Sequence, residues 1–299
     1  MVRYAITRAC LIALIARERP KWIARARERT AAYARAARYT GGSEFWGEIK
    51  NVYIRLQHEK CAYCETRLQG AVLASKVHEV EHFRPKQSVR AWPDPRLAHL
   101  SDFLPPCATG DASASGYHRL AYHPFNYAIA CTRCNSTLKS NYFPVRCERD
   151  VAGGDPSRMY GEGALLIYPL SDIDDDPRDI ITFDGVLAVP ADADGVGYQR
   201  AVTTIAFFQL NSEDLTLRRA GILLALWMNL QFLAGRPPAA SRAVLQAAIE
   251  RACAPAGEFS SCVAAFRRKF DTDRPAADRI GRLVNRLLTG QEGPGASAG

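Results

Sequence analysis

Two pairs of cysteines constrain this chain of 299 residues more than any other feature of its sequence. Cys61 and Cys64 are separated by two residues in "HEKCAYCETR", and Cys131 and Cys134 repeat that spacing in "CTRCN". Together they supply the four thiolates of a structural, tetrahedral zinc site. A redox pair is the alternative, but it needs only one such motif and a thioredoxin-like βαβ context. The pattern therefore predicts structural zinc, which contributes on the order of 10 kcal/mol to the folding of small domains.

Cysteine usage also bears on the compartment. The chain holds nine cysteines, an odd number, which favours reduced thiols and bound metal over a disulfide framework. We therefore expect a cytoplasmic protein. The short apolar run near the N-terminus is followed by more arginines rather than by a cleavage region, which favours a helix over a signal peptide. No apolar run approaches the roughly 18 residues that cross a bilayer, so we expect no membrane contact.

The positive charge of the chain lies at its beginning. Residues 1–58 hold 12 Lys and Arg against 4 Asp and Glu, a net charge of +8, whereas residues 59–299 hold 27 of each kind. A basic surface beside a metal site suits a polyanion such as nucleic acid. A solvated, arginine-rich helix explains the same charge equally well.

Composition divides the chain into five segments within a mostly helical α+β fold. A basic helical segment comes first, then a Cys- and His-rich region, an acidic hairpin and loop region, a second helical region and a disordered tail. The Cys- and His-rich region holds six of the nine cysteines and five of the six histidines, which suits a small unit held together by metal. The five segments are residues 1–58, 59–150, 151–199, 200–290 and 291–299.

Candidate catalytic side chains lie between and beside the cysteine pairs. Because a four-cysteine zinc site has no open coordination position, this zinc should not be the catalyst. The stretch "VEHFRPK" carries Glu81 and His82 on a run that predicts a strand, and neighbours on a strand face opposite sides unless it bends. "YHPFNY" carries Asn126, and Asn135 directly follows the last cysteine of the second pair.

The order Cys-x-x-Cys, Glu-His, Asn and Cys-x-x-Cys-Asn resembles the HNH, or ββα-metal, endonucleases in their zinc-bearing form. The resemblance implies a core of two strands and a helix that holds one catalytic divalent cation, Mg²⁺ or Mn²⁺. By position, His82 matches the general base, and Glu81 and Asn135 match the ligands of that cation. Asn126 matches the asparagine that orders the loop through hydrogen bonds.

Three cations near these residues are candidates for contact with nucleic acid. Arg84 and Lys86 flank the proposed site, where they could steer phosphates. Lys139 matches a distal lysine of the family, although it lies four residues after Asn135 rather than the more usual three. The family also more often has Asp where this chain has Glu81.

A narrower resemblance extends over roughly residues 45–220. The stretches "CAYCE", "VEHFRPK", "YHPFNY", "CTRCNSTLK" and "ITFDG" resemble the PtuB-type HNH nucleases of Septu and retron anti-phage systems. This resemblance implies a nuclease, expected to act on DNA, whose partner is an ABC/SMC-like ATPase. The alternative is a zinc-ribbon module that binds nucleic acid without cutting it, in which Glu81 and His82 are incidental.

Overall fold

The computed structural model of the chain describes residues 1–68, 80–94, 106–170 and 172–290. These residues form mostly helices with two small sheets, which confirms the predicted mixture. The chain divides into two compact units. The first comprises Met1–Ile180 and Pro190–Phe208, and the second comprises Ile181–Val189 and Gln209–Gly299. The predicted segments 1–58 and 59–150 thus lie in the same unit.

Helices open the first unit, as the alanine- and arginine-rich sequence predicts. The Thr7 side chain accepts a hydrogen bond from the backbone N–H of Cys10 and thereby caps the first helix. The second helix ends before Ala37, which adopts a positive φ of 51°. A 3₁₀ turn at Trp46–Ile49 runs directly into the third. The bounds are α1 Arg8–Glu18, α2 Trp22–Ala36 and α3 Lys50–Leu56.

Two short strands and a helix follow. Strand β1 (Val80–His82) pairs antiparallel with β2 (Tyr127–Ile129), so that His82 lies opposite Tyr127. All six strand residues are buried, which means that both faces of this small sheet are covered by the rest of the unit. Helix α4 (Arg133–Lys139) comes next and is wound as a π-helix, a rare form that is frequent at functional sites. Helices α5 (Pro177–Ile180) and α6 (Gly195–Phe207) complete the unit.

Gln57, at the end of α3, ties the N-terminal helices to the sheet. Its amide is fully buried, and Nε2 donates to the carbonyl oxygens of Lys60 and Ile129, both at 2.7 Å. Its Oε1 accepts from the Tyr4 hydroxyl and from the backbone N–H of Ile129. Lys60 immediately precedes the first cysteine pair and Ile129 closely precedes the second. One side chain therefore fixes the spacing between the two segments that carry the cysteines.

The described part of the second unit, which ends at residue 290, is a hairpin with four helices. Strands β3 (Ile181–Asp184) and β4 (Leu187–Pro190) are neighbours joined by a turn in which Gly185 has a φ of +57°. Gly281 packs against the indole of Trp227, where a Cβ atom would lie 2.3 Å from the ring, so only glycine fits. The helices are α7 Glu213–Ala234, α8 Ala239–Cys253, α9 Ser260–Thr272 and α10 Arg274–Thr289.

No helix in the described part of the chain is both long and apolar enough to cross a lipid bilayer. The predicted disordered tail, residues 291–299, lies outside the described residues.

The buried amide of Gln57 gives a test of this arrangement. Gln57→Glu keeps the shape of the side chain but removes the two hydrogen bonds donated by Nε2 and buries a carboxyl group. We expect the free energy of unfolding to fall by roughly 2–5 kcal/mol, measured by chemical denaturation. The same change at Gln246, which is exposed on α8, is the control and should leave stability within about 0.5 kcal/mol of the unmodified chain. Equal stability of the two variants would contradict the role assigned to Gln57.

Candidate functional site

The four predicted zinc ligands come together in the first unit. The sulfur atoms of Cys61, Cys64, Cys131 and Cys134 all lie within 4.8 Å of one another, and the Sγ atoms of Cys64 and Cys131 are 3.8 Å apart. Two sulfurs bound to one zinc at about 2.3 Å in tetrahedral geometry are separated by about 3.8 Å. The donor set and its spacing therefore fit a zinc ion.

Burial explains why a cation belongs among these sulfurs. Cys61 and Cys134 are fully buried and Cys64 is 3% exposed. Burial raises the pKa of the Cys61 thiol well above its usual value, because desolvation disfavours a thiolate. A bound divalent cation reverses that preference and deprotonates a coordinating thiol. The cluster could thus hold zinc as four thiolates.

A cleft of about 370 Å³ lies beside the small sheet. Its lining includes Glu81 and His82 from β1, Lys86 from the following loop and Asn135 from α4. Asn135 directly follows the zinc-ligand candidate Cys134 in α4, so the helix that supplies a sulfur to the cluster also carries an amide to the cleft. The cleft brings together the three residues predicted to provide the base and the cation ligands.

Glu81 is buried and only partly satisfied. Its Oε1 lies 3.2 Å from Nζ of Lys139, within ion-pair distance, but makes no hydrogen bond with any described residue. Burial raises the pKa of the Glu81 carboxyl to about 7, while the ammonium of Lys139 acts in the opposite direction. A buried carboxylate oxygen that lacks a hydrogen bond is a suitable ligand for a hard cation, which would favour its ionised form.

His82 is held by a carbonyl group and two aromatic rings. Its Nε2 lies 3.0 Å from the carbonyl oxygen of Ala121, and the edges of Trp46 and Tyr127 meet the imidazole at 89°, with centroids 4.8 and 5.2 Å away. Because a carbonyl oxygen can only accept, Nε2 carries the proton of the neutral ring and Nδ1 keeps its lone pair. Burial lowers the pKa of His82 to about 3, and Lys86 acts in the same direction. The ring is therefore neutral near pH 7.

Asn126 joins the segment after β1 to the turn before β2. Its Oδ1 accepts from the backbone N–H of Arg84 at 2.8 Å, and its Nδ2 donates to the carbonyl oxygens of Arg84 and Leu120. Its own carbonyl oxygen accepts from the N–H of Phe83. The side chain is fully buried, so it fixes the course of the backbone and does not contact a molecule in the cleft.

The three cations expected to contact nucleic acid occupy different environments. The Arg84 guanidinium is buried and pairs with Glu162 at 2.7 Å. Lys139 is fully buried beside Glu81. Lys86 is half-buried at the cleft, with Nζ 4.8 Å from the centre of the Trp46 ring. A phosphate contact from either of the first two side chains would require a buried ion pair to open.

Sequence reasoning missed the surroundings of His82. Trp46 and the carbonyl group of Ala121 both contact its ring. Trp46 lies about 40 residues before His82 in the chain, and Ala121 lies about 40 residues after it. A tryptophan in "EFWGEIK" gives no local sign of this contact, and any residue type can supply a carbonyl oxygen. Only the pairing of β1 with β2 could have placed Tyr127 against His82.

The basic surface of α2 is partly neutralised. Arg25 makes two hydrogen bonds with the carboxylate of Glu48, and Arg29 donates to the carbonyl oxygen of Gly41. Both guanidinium groups also lie over the Phe45 ring. Arg25 and Arg29, two of the cations on this helix, are thus engaged with the protein.

The chain resembles Septu protein PtuB. It is 28% identical over 176 residues to the Septu protein PtuB of Bacillus mycoides (strain KBAB4), which confirms the resemblance expected from the motifs. The match covers 58% of this chain and 50% of PtuB, so the chain spans about half the length of the curated relative it matches. No protein-family model matches the chain, and no solved structure matches it.

The cysteine cluster predicts a specific metal content. The purified chain should contain about one zinc per molecule by inductively coupled plasma mass spectrometry. Cys134→Ser should lower that content and destabilise the first unit, because the site then lacks one of its four thiolates and zinc binding is coupled to folding. Cys10→Ser, at an exposed cysteine outside the cluster, is the matched control and should keep both metal and melting temperature. Full zinc loading of the Cys134 variant would show that the cluster is not the zinc site.

Proposed function

We propose that this chain is a metal-dependent HNH-type endonuclease that hydrolyses phosphodiester bonds in nucleic acid, with DNA as the expected substrate. The observation that carries the proposal is the cleft shared by Glu81, His82 and Asn135. Glu81 and His82 lie on β1, which pairs with β2, and Asn135 lies on α4. This order of elements supports the ββα core that the resemblance implies. The four-cysteine cluster lies at the start of that helix, where it can brace the site without taking part in the chemistry.

His82 has the protonation state that a general base needs. Its neutral ring donates from Nε2 to Ala121, which leaves Nδ1 to accept a proton from an attacking water. The pKa of about 3 reflects burial and the nearby charge of Lys86. A bound phosphodiester brings negative charge to the cleft, which shifts the pKa of the imidazole upward and strengthens it as a base.

Glu81 and Asn135 suit a catalytic divalent cation. Carboxylate and amide oxygens are the ligands that Mg²⁺ prefers, and Mn²⁺ accepts the same donors. When bound, such a cation supplies relief of charge on the phosphate and stabilisation of the leaving oxygen. The buried, incompletely satisfied Oε1 of Glu81 and the half-buried amide of Asn135 are the groups that would hold it.

Lys86 is the cation best placed to meet the substrate. It lines the cleft and is half-buried, whereas the side chains of Arg84 and Lys139 are buried. We therefore assign the phosphate contact to Lys86. We assign Arg84 to holding the loop after β1 through Glu162, and Lys139 to orienting the carboxylate of Glu81.

The similarity to Septu protein PtuB supports a role in anti-phage defence. The narrower resemblance to Septu and retron nucleases adds an ABC/SMC-like ATPase as partner and the cytoplasm as the place of action. In that setting the chain would be the effector that damages nucleic acid.

Cleavage of plasmid DNA tests the proposal. The chain is incubated with plasmid in Mg²⁺ and, separately, in Mn²⁺, with and without the proteins that co-purify from its native host. His82→Asn should lower the cleavage rate by about 10²–10⁴-fold, since the base is lost. His58→Asn is the matched control, because His58 is exposed and lies outside the cleft lining, and it should cut at the unmodified rate. DNA binding without cleavage in every condition would favour the zinc-ribbon alternative.

The assignment of Lys86 has its own test. Lys86→Gln should weaken nucleic-acid binding and reduce the salt dependence of binding by about one released counterion, while the melting temperature stays unchanged. Arg84→Gln should instead lower the melting temperature, because it leaves the Glu162 carboxylate buried without its guanidinium partner. Binding is measured by fluorescence anisotropy across a salt series. Equal salt slopes for the unmodified chain and the Lys86 variant would contradict the assignment.

A further inference from the structure

Helix α7 of the second unit carries an exposed apolar stripe. The side of the helix that packs inside the unit is formed by residues such as Leu215, Leu223 and Leu230. On another side, exposed residues recur at helical spacing and are nearly all apolar or small. The stripe consists of Leu217, Gly221, Ala225, Met228 and Phe232.

The largest side chains of this stripe meet water. Phe232 is 62% exposed, Met228 46% and Leu217 37%. A Cβ atom built on Gly221 would have nothing within 4 Å, so the backbone at this position faces open space. Exposed apolar residues in a continuous row along a 22-residue helix, about 33 Å long, mark an interaction surface more often than scattered single residues do.

The two ends of the stripe carry opposite charges. Glu213, the first residue of α7, and Asp214 beside it are exposed. Arg236, two residues after the helix, is also exposed. Two copies of α7 laid parallel would place the acidic ends side by side. Laid antiparallel, each acidic end meets the Arg236 of the other copy, which is electrostatically favourable.

The antiparallel register that pairs Glu213 with Arg236 also matches the apolar residues by size. In that register Leu217 lies opposite Phe232 and Gly221 lies opposite Met228, so that each bulky methionine side chain meets a position with no side chain. Ala225 falls near the centre, where the two helices approach most closely. Because a two-fold axis repeats every contact, one set of residues satisfies both halves of the interface.

The second unit has a hollow beside Phe232, where this register would place Leu217 of the second copy. It has a volume of about 500 Å³ at the C-terminal end of α7 and is lined by Trp227, Met228, Gln231, Phe232, Gly235 and Pro237. Leu217 of the second copy, opposite Phe232, lies at this hollow. A large apolar side chain would thus meet an apolar recess near each end of the helix pair, which favours a stable interface.

We propose that this chain forms a two-fold symmetric homodimer through antiparallel packing of α7 against α7 of a second copy. The contact has the small crossing angle of helices that interdigitate along their length. Such an interface is closed, so it yields dimers rather than filaments. The proposal is independent of the nuclease proposal, since none of the α7 residues lines the cleft.

Sedimentation velocity of the full chain over a concentration series tests the dimer. Met228→Glu should raise the dissociation constant at least about tenfold, because it places two unpaired carboxylates in the apolar centre of the interface. Val244→Glu is the matched control: Val244 is 68% exposed on α8, outside the stripe, and this variant should dimerise as the unmodified chain does. Circular dichroism confirms that both variants are folded.

Charge reversal tests the register. Glu213→Arg and Arg236→Glu should each weaken the dimer, because like charges then face each other across the interface. The double variant restores opposite charges and should recover the original dissociation constant. A chain that stays monomeric up to about 100 μM, or a dimer that Met228→Glu leaves intact, overturns the proposal. Single reversals that weaken the dimer without recovery in the double variant reject the antiparallel register.

Discussion

Four sulfur atoms converge in the part of this protein that the candidate site depends on. The cluster brings together Cys61 and Cys64, which follow α3, Cys131, which lies between β2 and α4, and Cys134, which lies in α4. The strands themselves have only three residues each and could not persist alone. Because Asn135 is the next residue after a zinc-ligand candidate, the rotation of α4 that brings sulfur to the cluster also sets where that amide lies.

Two buried amide side chains also connect the segments that carry the cysteines and the candidate site. Gln57 uses both polar atoms of its side chain to hold the two cysteine-bearing segments at a fixed separation, and Asn126 does the same for the two segments that meet beside His82. Neither side chain reaches solvent. Amides can donate and accept at once, so each satisfies backbone groups of opposite kinds that short strands leave unpaired.

Most of the predictions from the sequence rested on local patterns of residues. Cysteine spacing indicated the cluster, and the order of motifs indicated that His82 and Asn135 belong to one site. The environment of those residues depends on contacts between distant segments. Nothing near Arg84 in the sequence shows that Glu162, 78 residues away, neutralises it inside the protein. Burial of this kind is decided by tertiary packing, which periodicity and residue type alone do not specify.

Trp46 shows how far the cysteine-bearing core relies on what precedes it. The indole lies perpendicular to the His82 ring, is tilted against Tyr122 and lies beneath the ammonium of Lys86, yet it belongs to the N-terminal helical segment. A fragment that begins at Cys61 would keep all four thiols of the cluster but lose the Trp46 indole and the Gln57 amide. The cysteine-bearing core therefore depends on the N-terminal helical segment: without that segment, the imidazole would be exposed to water and free to rotate.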